Sequence, residues 1–529
     1  MLLVLLLATV GNTLKAQEVP VDMAQSRALD FLTNTTPAAR RAKGNHTPLS
    51  LSLAYTARSE SKTCFYVFNV GEDEGFVITG GDEAAREILG YCDHGSFDYD
   101  MAPENFKWWL GEYTKQIAHS EATTDLLSRS QSAVHRAKVA EGRESIGPLI
   151  KTKWGQSHPY NSEIPVYSSD GQPYVTGCVA TAMAQVMNYW QHPQQGQGSH
   201  QYEYDGITFS ANFGETTYDW DNMLDQYISG TYDATEAKAV GTLMHHAGVA
   251  VEMKYRTSSS SAVFPGRIRE ALVSNFNYNP AVRCINRYGF FTDELWEELI
   301  YDELNEGRPI LYCGTSIDGL TSHAFICDGY DKETGMFSFN WGWSGSVDGF
   351  YTLSGVDAVN YWSNYQKIIL YIQPKDLGTN SFKPHLYVNS DYYLELCFDY
   401  DDYTSCHSGD FIYDQQSASE VSNYVALTSL CIENRRSVIE TYDLGVQAID
   451  TTTGNEHYWT CYPNISIPLS TFTFKSLEIN LLDLTTNGTY ELRPVFRAAG
   501  GTDEDWLEMQ PRVTKTDVPT LTIIGCNDT

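Results

Sequence analysis

The sequence predicts an α+β protein in three units, the last of them all-β and sandwich-like. Three observations carry this. A chain of 529 residues exceeds what one hydrophobic core organises, so it divides. Helical and strand periods are intermixed up to about residue 373, and only the strand period persists from about 376 onward. A polar stretch at 119–146, poor in apolar residues, sets the first boundary. The predicted units are therefore 17–146, 147–373 and 376–529.

The chain opens with an apolar run, Leu2 to Val10, too short to cross a bilayer and followed by Thr13, Leu14, Lys15 and Ala16. This predicts a signal peptide at 1–16 and an exported protein, extracellular, at the cell surface or periplasmic. No later segment reads as an integral membrane span.

Within the first unit, Val21–Thr33 reads as a helix and Leu51–Thr56 as a strand. Phe65–Val70 and Gly75–Gly80 flank a turn as a hairpin, and Phe106–Ile117 is helical. The connector at 119–146 is open to proteolytic nicking. In the second unit, helices are expected at Val179–Tyr189, Glu236–Val251, Pro265–Phe276 and Thr292–Leu304, the last capped by Thr292. Strands are expected at Ile310–Cys313, Ala324–Asp328, Met336–Trp341, Gly349–Leu353 and Lys367–Ile372. In the third unit, Tyr387-Val388, Tyr392–Cys397, Ser429–Glu433 and Thr489–Phe496 alternate, with turn signals such as Asn487-Gly488 between strands.

Composition excludes several function classes. At 42% hydrophobic, with 35 tyrosines and 11 tryptophans, the chain is far too apolar for disorder. A net charge of −32 excludes nucleic acid as a partner, because phosphate binding needs clustered Lys and Arg. The 11 cysteines contain no CxxC, and their odd number leaves at least one unpaired; Cys397, Cys406, Cys431, Cys461 and Cys526 can pair among themselves in several ways. No metal or other cofactor is expected. There is no HExxH, His245 and His246 are adjacent, and the acidic Asp399–Asp402 loop lacks the oxygen spacing of a calcium site.

Four segments carry chemistry. Gly177 and Cys178 open a run in which Val179, Ala182, Met183, Val186 and Trp190 recur at helical spacing. This sets Cys178 at a helix N-terminus, where the dipole favours thiolate and main-chain N–H groups can hold an oxyanion. Taken alone, a Cys there is as compatible with a packed helix end. His323 stands at the mouth of an apolar strand, where an imidazole can serve as base. Asn340 lies on the next strand, across the Asp331–Gly335 turn, so antiparallel pairing is expected to bring Asn340 or its neighbours beside His323 as orienter. Gln156, upstream of Cys178, can complete an oxyanion hole with the Cys178 N–H. Cys, then His, then Asn is the chain order of papain-like proteases.

These segments resemble the streptopain (C10) family of papain-like proteases, including the interpain-type enzymes of Bacteroides relatives. The likeness rests on Gln156 with His158–Asn161, Thr176–Ala182, Ser322–Phe325, Asp328-Gly329 and Asn340–Trp343. Val251–Tyr255, the Ser258–Ser261 run, Phe276–Asn279 and Ile285–Arg287 extend it over nearly all of 147–373. The resemblance implies a papain-like catalytic domain preceded by an α+β inhibitory prodomain. It implies Cys178 as nucleophile, His323 as acid and base, and Gln156 in the oxyanion hole. It also implies a substrate-binding wall at Ser261, Ala262 and Ser322, with Trp341 beside it, favouring a hydrophobic P2 residue. The chain departs from streptopain where that family has glycines, at Ser258–Ser261 and at Ser322. The C-terminal unit lies outside the likeness.

The implied function is a secreted bacterial cysteine endopeptidase made as a zymogen, acting as a monomer on protein or peptide substrates and inhibited by its own prodomain. Two rivals are another Cys–His acyl transferase or amidase, which amine incorporation would reveal, and an inert surface protein binding through its β unit. Retention of Cys178, His323, Gln156 and Asn340 together speaks against the inert form.

Overall fold

The computed structural model describes residues 18–35, 49–60, 62–120, 142–164, 171–258, 260–262, 266–287, 293–315, 322–356, 366–377, 387–388, 393–396, 411–414, 424–434, 441–467, 471–484, 486–511 and 520–524. The expected signal peptide, most of the connector, the acidic 399–402 loop and Cys397, Cys406 and Cys526 lie outside them. Two compact units divide after Gly378. Among the described residues no helix is long and apolar enough to cross a membrane.

The first unit begins with helix α1 (Val21–Asn34), whose buried Ala24, Ala28 and Phe31 recur at helical spacing and face the sheet. Strands β1 (Leu51–Ser59), β2 (Lys62–Val70), β3 (Phe76–Gly80) and β4 (Ile88–Cys92) follow as an antiparallel meander. Helix α2 (Glu104–His119) starts two residues before its expected apolar run, because Pro103 at the N-cap fixes the entry. Sequence reading missed β4, a short strand with no alternation.

Beyond the connector come helix α3 (Cys178–Trp190), the hairpin β5 (His200–Tyr204) and β6 (Ile207–Ala211), and helix α4 (Ala234–Ala250). The start of α4 is set by Asp233, whose side chain accepts from the Thr235 and Glu236 N–H groups while Glu236 caps it in return. Next are α5 (Gly266–Ser274), β7 (Arg283–Asn286), α6 (Asp293–Asn305), β8 (Ile310–Thr315), β9 (Ser322–Asp331), β10 (Met336–Asn340), β11 (Gly349–Tyr351) and β12 (Gln366–Leu370).

The strands of both expected N-terminal units join in one ten-stranded sheet, ordered β1-β2-β3-β4-β11-β10-β9-β8-β12-β7. The seam is β4 against β11, with Phe350 opposite Tyr91 and Tyr351 opposite Gly90. Gly90 is required there, since a Cβ would run into the Tyr351 ring. This shared sheet is why 17–146 and 147–373 fold as one compact body. One apolar core gathers α3, α4, α5 and the inner faces of β8, β9 and β12.

The second unit, described by itself, contains only strands and short 3₁₀ turns among its described residues. Its strands are β13 (Tyr387–Val388), β14 (Tyr393–Leu396), β15 (Phe411–Asp414), β16 (Tyr424–Asn434), β17 (Thr441–Asp450), β18 (Glu456–Ser466), β19 (Thr471–Asn480), β20 (Gly488–Ala498), β21 (Leu507–Glu508), β22 (Gln510–Pro511) and β23 (Thr520–Ile524). One sheet joins β13, β14, β16, β19 and β22; a second joins β15, β17, β18, β20, β21 and β23. Leu430, Ile432 and Leu477 of the first share a core with Leu444, Val446 and Leu492 of the second. Cys461 carries a free thiol.

Candidate active site

Cys178 is the first residue of α3 and is half-buried. Gly177 precedes it at φ +88°, and a Cβ there would collide with Met253, so only glycine makes this turn. The turn is held by Thr181, whose N–H and Oγ1 each donate to Gly177 O at 3.0 Å, and by the 2.8 Å contact of Thr181 Oγ1 with Thr176 Oγ1. Gln156 is buried, and its carbonyl accepts from Thr176 N at 3.1 Å, which fixes it two residues before the thiol.

His323 lies on β9 with Gly314 of β8 opposite. Its neighbour Ala324 donates its N–H to Cys178 Sγ at 3.4 Å. The residue next to the expected base thus hydrogen-bonds the expected nucleophile. No hydrogen bond joins the His323 ring to Cys178 among the described residues.

Asn340 is not placed on His323, contrary to the expected pairing. The β9–β10 hairpin sets Asn340 opposite Ile326, with a bulge after Ser338, and β10 ends there before the register reaches His323. Its amide is fully engaged elsewhere. Asn340 Oδ1 accepts from Gln185 Nε2 and from Gly342 N, both at 3.0 Å, and Nδ2 donates to Thr152 O at 2.8 Å. Gln185, two turns along α3 from the thiol and wholly buried, accepts on Oε1 from Thr152 Oγ1 at 2.9 Å and from Trp154 N at 3.2 Å. This amide pair ties α3, the segment bearing Gln156 and the Trp341-Gly342 turn together. Sequence reading missed Gln185; its one signal was a glutamine on the buried face of an otherwise apolar helix. Gln185→Ala strands several buried polar groups at roughly 1–3 kcal/mol each. We expect it to lower kcat at least about ten-fold through misplacement, with a smaller change in KM. An unchanged kcat in a variant of lowered melting temperature would reduce Gln185 to a purely structural role.

The residues of the expected substrate wall are placed as follows. Ser260, buried, donates to Val175 O at 2.7 Å and abuts Gly177, so exposed Ser261 and half-buried Ala262 flank the thiol's turn. Ser322 heads β9, its side chain outside the described set. Trp341 is wholly buried rather than open to a ligand, with Phe325 at 4.6 Å between ring centroids and Phe106 of α2 at 5.1 Å.

That last contact shows what α2 does. Asn105 donates to Trp341 O at 2.7 Å and to Ala324 O at 3.4 Å. Trp108 occupies the space over Gly314, the residue opposite His323. Trp109 packs on Tyr312, Phe325, Phe339 and Trp341. The N-terminal helix therefore covers the His323 side of the cleft.

Electrostatics agree. Burial pushes the Cys178 thiol up despite the Ala324 and Val179 N–H groups, and burial pushes the His323 imidazole down, partly offset by the Glu104 carboxylate of α2. Both shifts favour the neutral thiol and neutral imidazole over the ion pair. Alkylation of Cys178 in the full chain should accordingly be slow at pH 7 and rise above the ordinary thiol range. The form freed of residues 17–118 should instead show fast alkylation from mildly acidic pH. A mass-resolved pH–rate profile reads this, and a full chain already fast below pH 7 would refute it.

Fold and site together define a cysteine peptidase carrying an inhibitor-type N-terminal domain. Residues 154–351 match the model of the peptidase C10 family, and residues 16–117 match that of the Spi protease inhibitor. The thiol protease/hemagglutinin PrtT of Porphyromonas gingivalis is 31% identical over 383 residues, 68% of this chain and 42% of that protein. Streptopain of Streptococcus pyogenes is 33% identical over 338 residues, 58% of this chain and 80% of streptopain. Of solved structures, a prointerpain A fragment of Prevotella intermedia is 32% identical, with a TM-score of 0.47 covering 61% of this chain and 100% of that one. The chain spans less than half the length of the thiol protease/hemagglutinin it matches. It belongs to the peptidase C10 family, as its motifs indicated.

Proposed function

We propose that the chain is an exported cysteine endopeptidase made as a zymogen. A signal peptide at 1–16 precedes a prodomain at 17–146 with a cleavable connector at 119–146. A papain-like catalytic domain spans 147–373, and a β-sandwich-like domain spans 376–529. The observation that carries this reading is Asn105 of α2 bridging Ala324 O and Trp341 O, one residue from His323, while Cys178 Sγ takes its hydrogen bond from Ala324 N.

Once α2 leaves, His323 holds the Cys178 thiolate as an ion pair, and the thiolate attacks a peptide carbonyl. The Cys178 N–H and the Gln156 amide stabilise the oxyanion. His323 then gives its proton to the leaving amine, releasing the first product and leaving a thioester. A water, losing its proton to His323, attacks the thioester; collapse expels the thiolate and frees the acid. Asn340 acts with Gln185 as a positioning pair rather than on the imidazole. Ser261, Ala262 and Ser322 line the P2 side, and Trp341 joins them when Phe106 withdraws.

The test is a time course of the purified chain with casein, with and without an epoxysuccinyl thiol-protease inhibitor. Loss of the N-terminal domain by a cut within 119–146, followed by casein hydrolysis that the inhibitor blocks, supports the reading. An active form still joined to residues 17–118 would sink the zymogen part. A chain inert even after a second protease removes that segment would sink the peptidase part.

A further inference from the structure

At the end of β4 the N-terminal domain runs beside the 342–348 loop that follows Asn340. Cys92, Asp93 and His94 bring three different metal-donor atoms within 4.8 Å of one another there. Cys92 Sγ lies 3.5 Å from His94 Nδ1, and Asp93 Oδ1 lies 3.0 Å from the same nitrogen. The other ring nitrogen, Nε2, is 2.9 Å from Gly345 O. A carbonyl only accepts, so Nε2 carries a proton, and in the neutral ring Nδ1 presents a bare lone pair. The Cys92 S–H can satisfy that lone pair, but the Asp93 oxygen still faces it. Only a positive charge among the three, a further ring proton or a metal ion, makes all the contacts favourable.

The spacing suits a metal. Bond lengths of ~2.3 Å to sulfur and ~2.0 Å to nitrogen or oxygen in a tetrahedral shell put S and N about 3.5 Å apart and N and O about 3.3 Å apart. A ligating imidazole typically donates its second N–H to a carbonyl, which is the role of Gly345 O here. Thiolate, carboxylate and neutral imidazole balance a 2+ ion at a seam where Cys92 is buried and His94 half-buried.

We propose that Cys92, Asp93 and His94 form a site for a divalent cation of the zinc type. The fourth ligand is water or one of the main-chain oxygens already near the sulfur, His94 O at 3.1 Å and Asp348 O at 3.0 Å. Binding releases the thiol proton to solvent. Because Gly345 and Asp348 belong to the catalytic domain, the bound ion fastens the seam that maturation opens; this consequence, unlike the site, rests on the zymogen reading.

The test uses the full chain carrying Cys178→Ala, which removes the other Cys–His pair and keeps the chain intact. Titrated with Co²⁺ and then Zn²⁺, it should bind one ion, show a thiolate-to-cobalt charge-transfer band, lose that band to zinc and melt at a higher temperature. Cys92→Ser and His94→Gln should each abolish the band and weaken zinc at least about 100-fold, and Asp93→Asn, at an exposed side chain, at least about ten-fold. No thiolate band in the parent chain, or one that survives Cys92→Ser, overturns the site. Neither outcome depends on peptide hydrolysis, so failure here is distinct from failure of the protease reading.

Discussion

Cys178→Ala is expected to leave the chain at full length indefinitely and to lower casein hydrolysis by at least about 10⁴-fold, the scale on which covalent nucleophiles are lost elsewhere. The substitution is small, and the thiol it removes accepts from nearby main-chain N–H groups, that of Ala324 at 3.4 Å among them, so the melting temperature should barely move. Addition of a trace of matured enzyme should then cut the variant within 119–146 without making it active. This separates a chain that cannot cut from one that cannot be cut. Residual hydrolysis within ten-fold of wild type would transfer the nucleophile to another residue.

Trp109→Ala is expected to unlatch the zymogen. The indole is wholly buried among Tyr113 of its own helix and Tyr312, Phe325, Phe339 and Trp341 of the catalytic domain. Truncating a buried Trp costs about 3–5 kcal/mol. If about 3 kcal/mol of that falls on the docked arrangement, the open form becomes roughly 100-fold more populated. Cys178 alkylation in the full chain and the onset of self-cleavage should both accelerate on that scale. The matured catalytic domain lacks residue 109, so its specific activity must equal that of wild type. An unchanged maturation lag would show that the covering helix is held by other contacts, Asn105 and Trp108 foremost.

Much of the site was legible because its residues announce local structure. Gly177 before an apolar helical repeat gives a thiol on a helix end, and a His before an apolar run gives an imidazole at a strand mouth. Asn340 was misplaced because a turn sequence fixes a hairpin but does not reveal a bulge at Ser338 or the strand's end at Asn340. The role of Gln185 was hidden for a different reason: a polar residue on an apolar helix face signals a buried partner, but its partners Thr152, Trp154 and Asn340 are all far away in sequence. The β4–β11 pairing was equally hidden, since two short strands from different units carry no mutual signal. The alternation of the last third, by contrast, anticipated parts of β13, β14, β16 and β20 but not β17, β18 or β19, although Tyr442, Leu444, Val446 and Ala448 of β17 and Phe472 and Phe474 of β19 carry the same period-two signal.

The β4–β11 junction has one further consequence. When the N-terminal domain is lost, Gly349–Tyr351 changes from an interior strand into a boundary with unpaired main-chain groups. Long bare boundaries of that kind recruit other chains and seed aggregates, and nature keeps them short. The regular ladder here is only three residues long, and the further main-chain contacts at Thr352 and Gly355 are scattered, which leaves little continuous edge to template a neighbour. The N-terminal domain can therefore be discarded without leaving a long adhesive boundary behind.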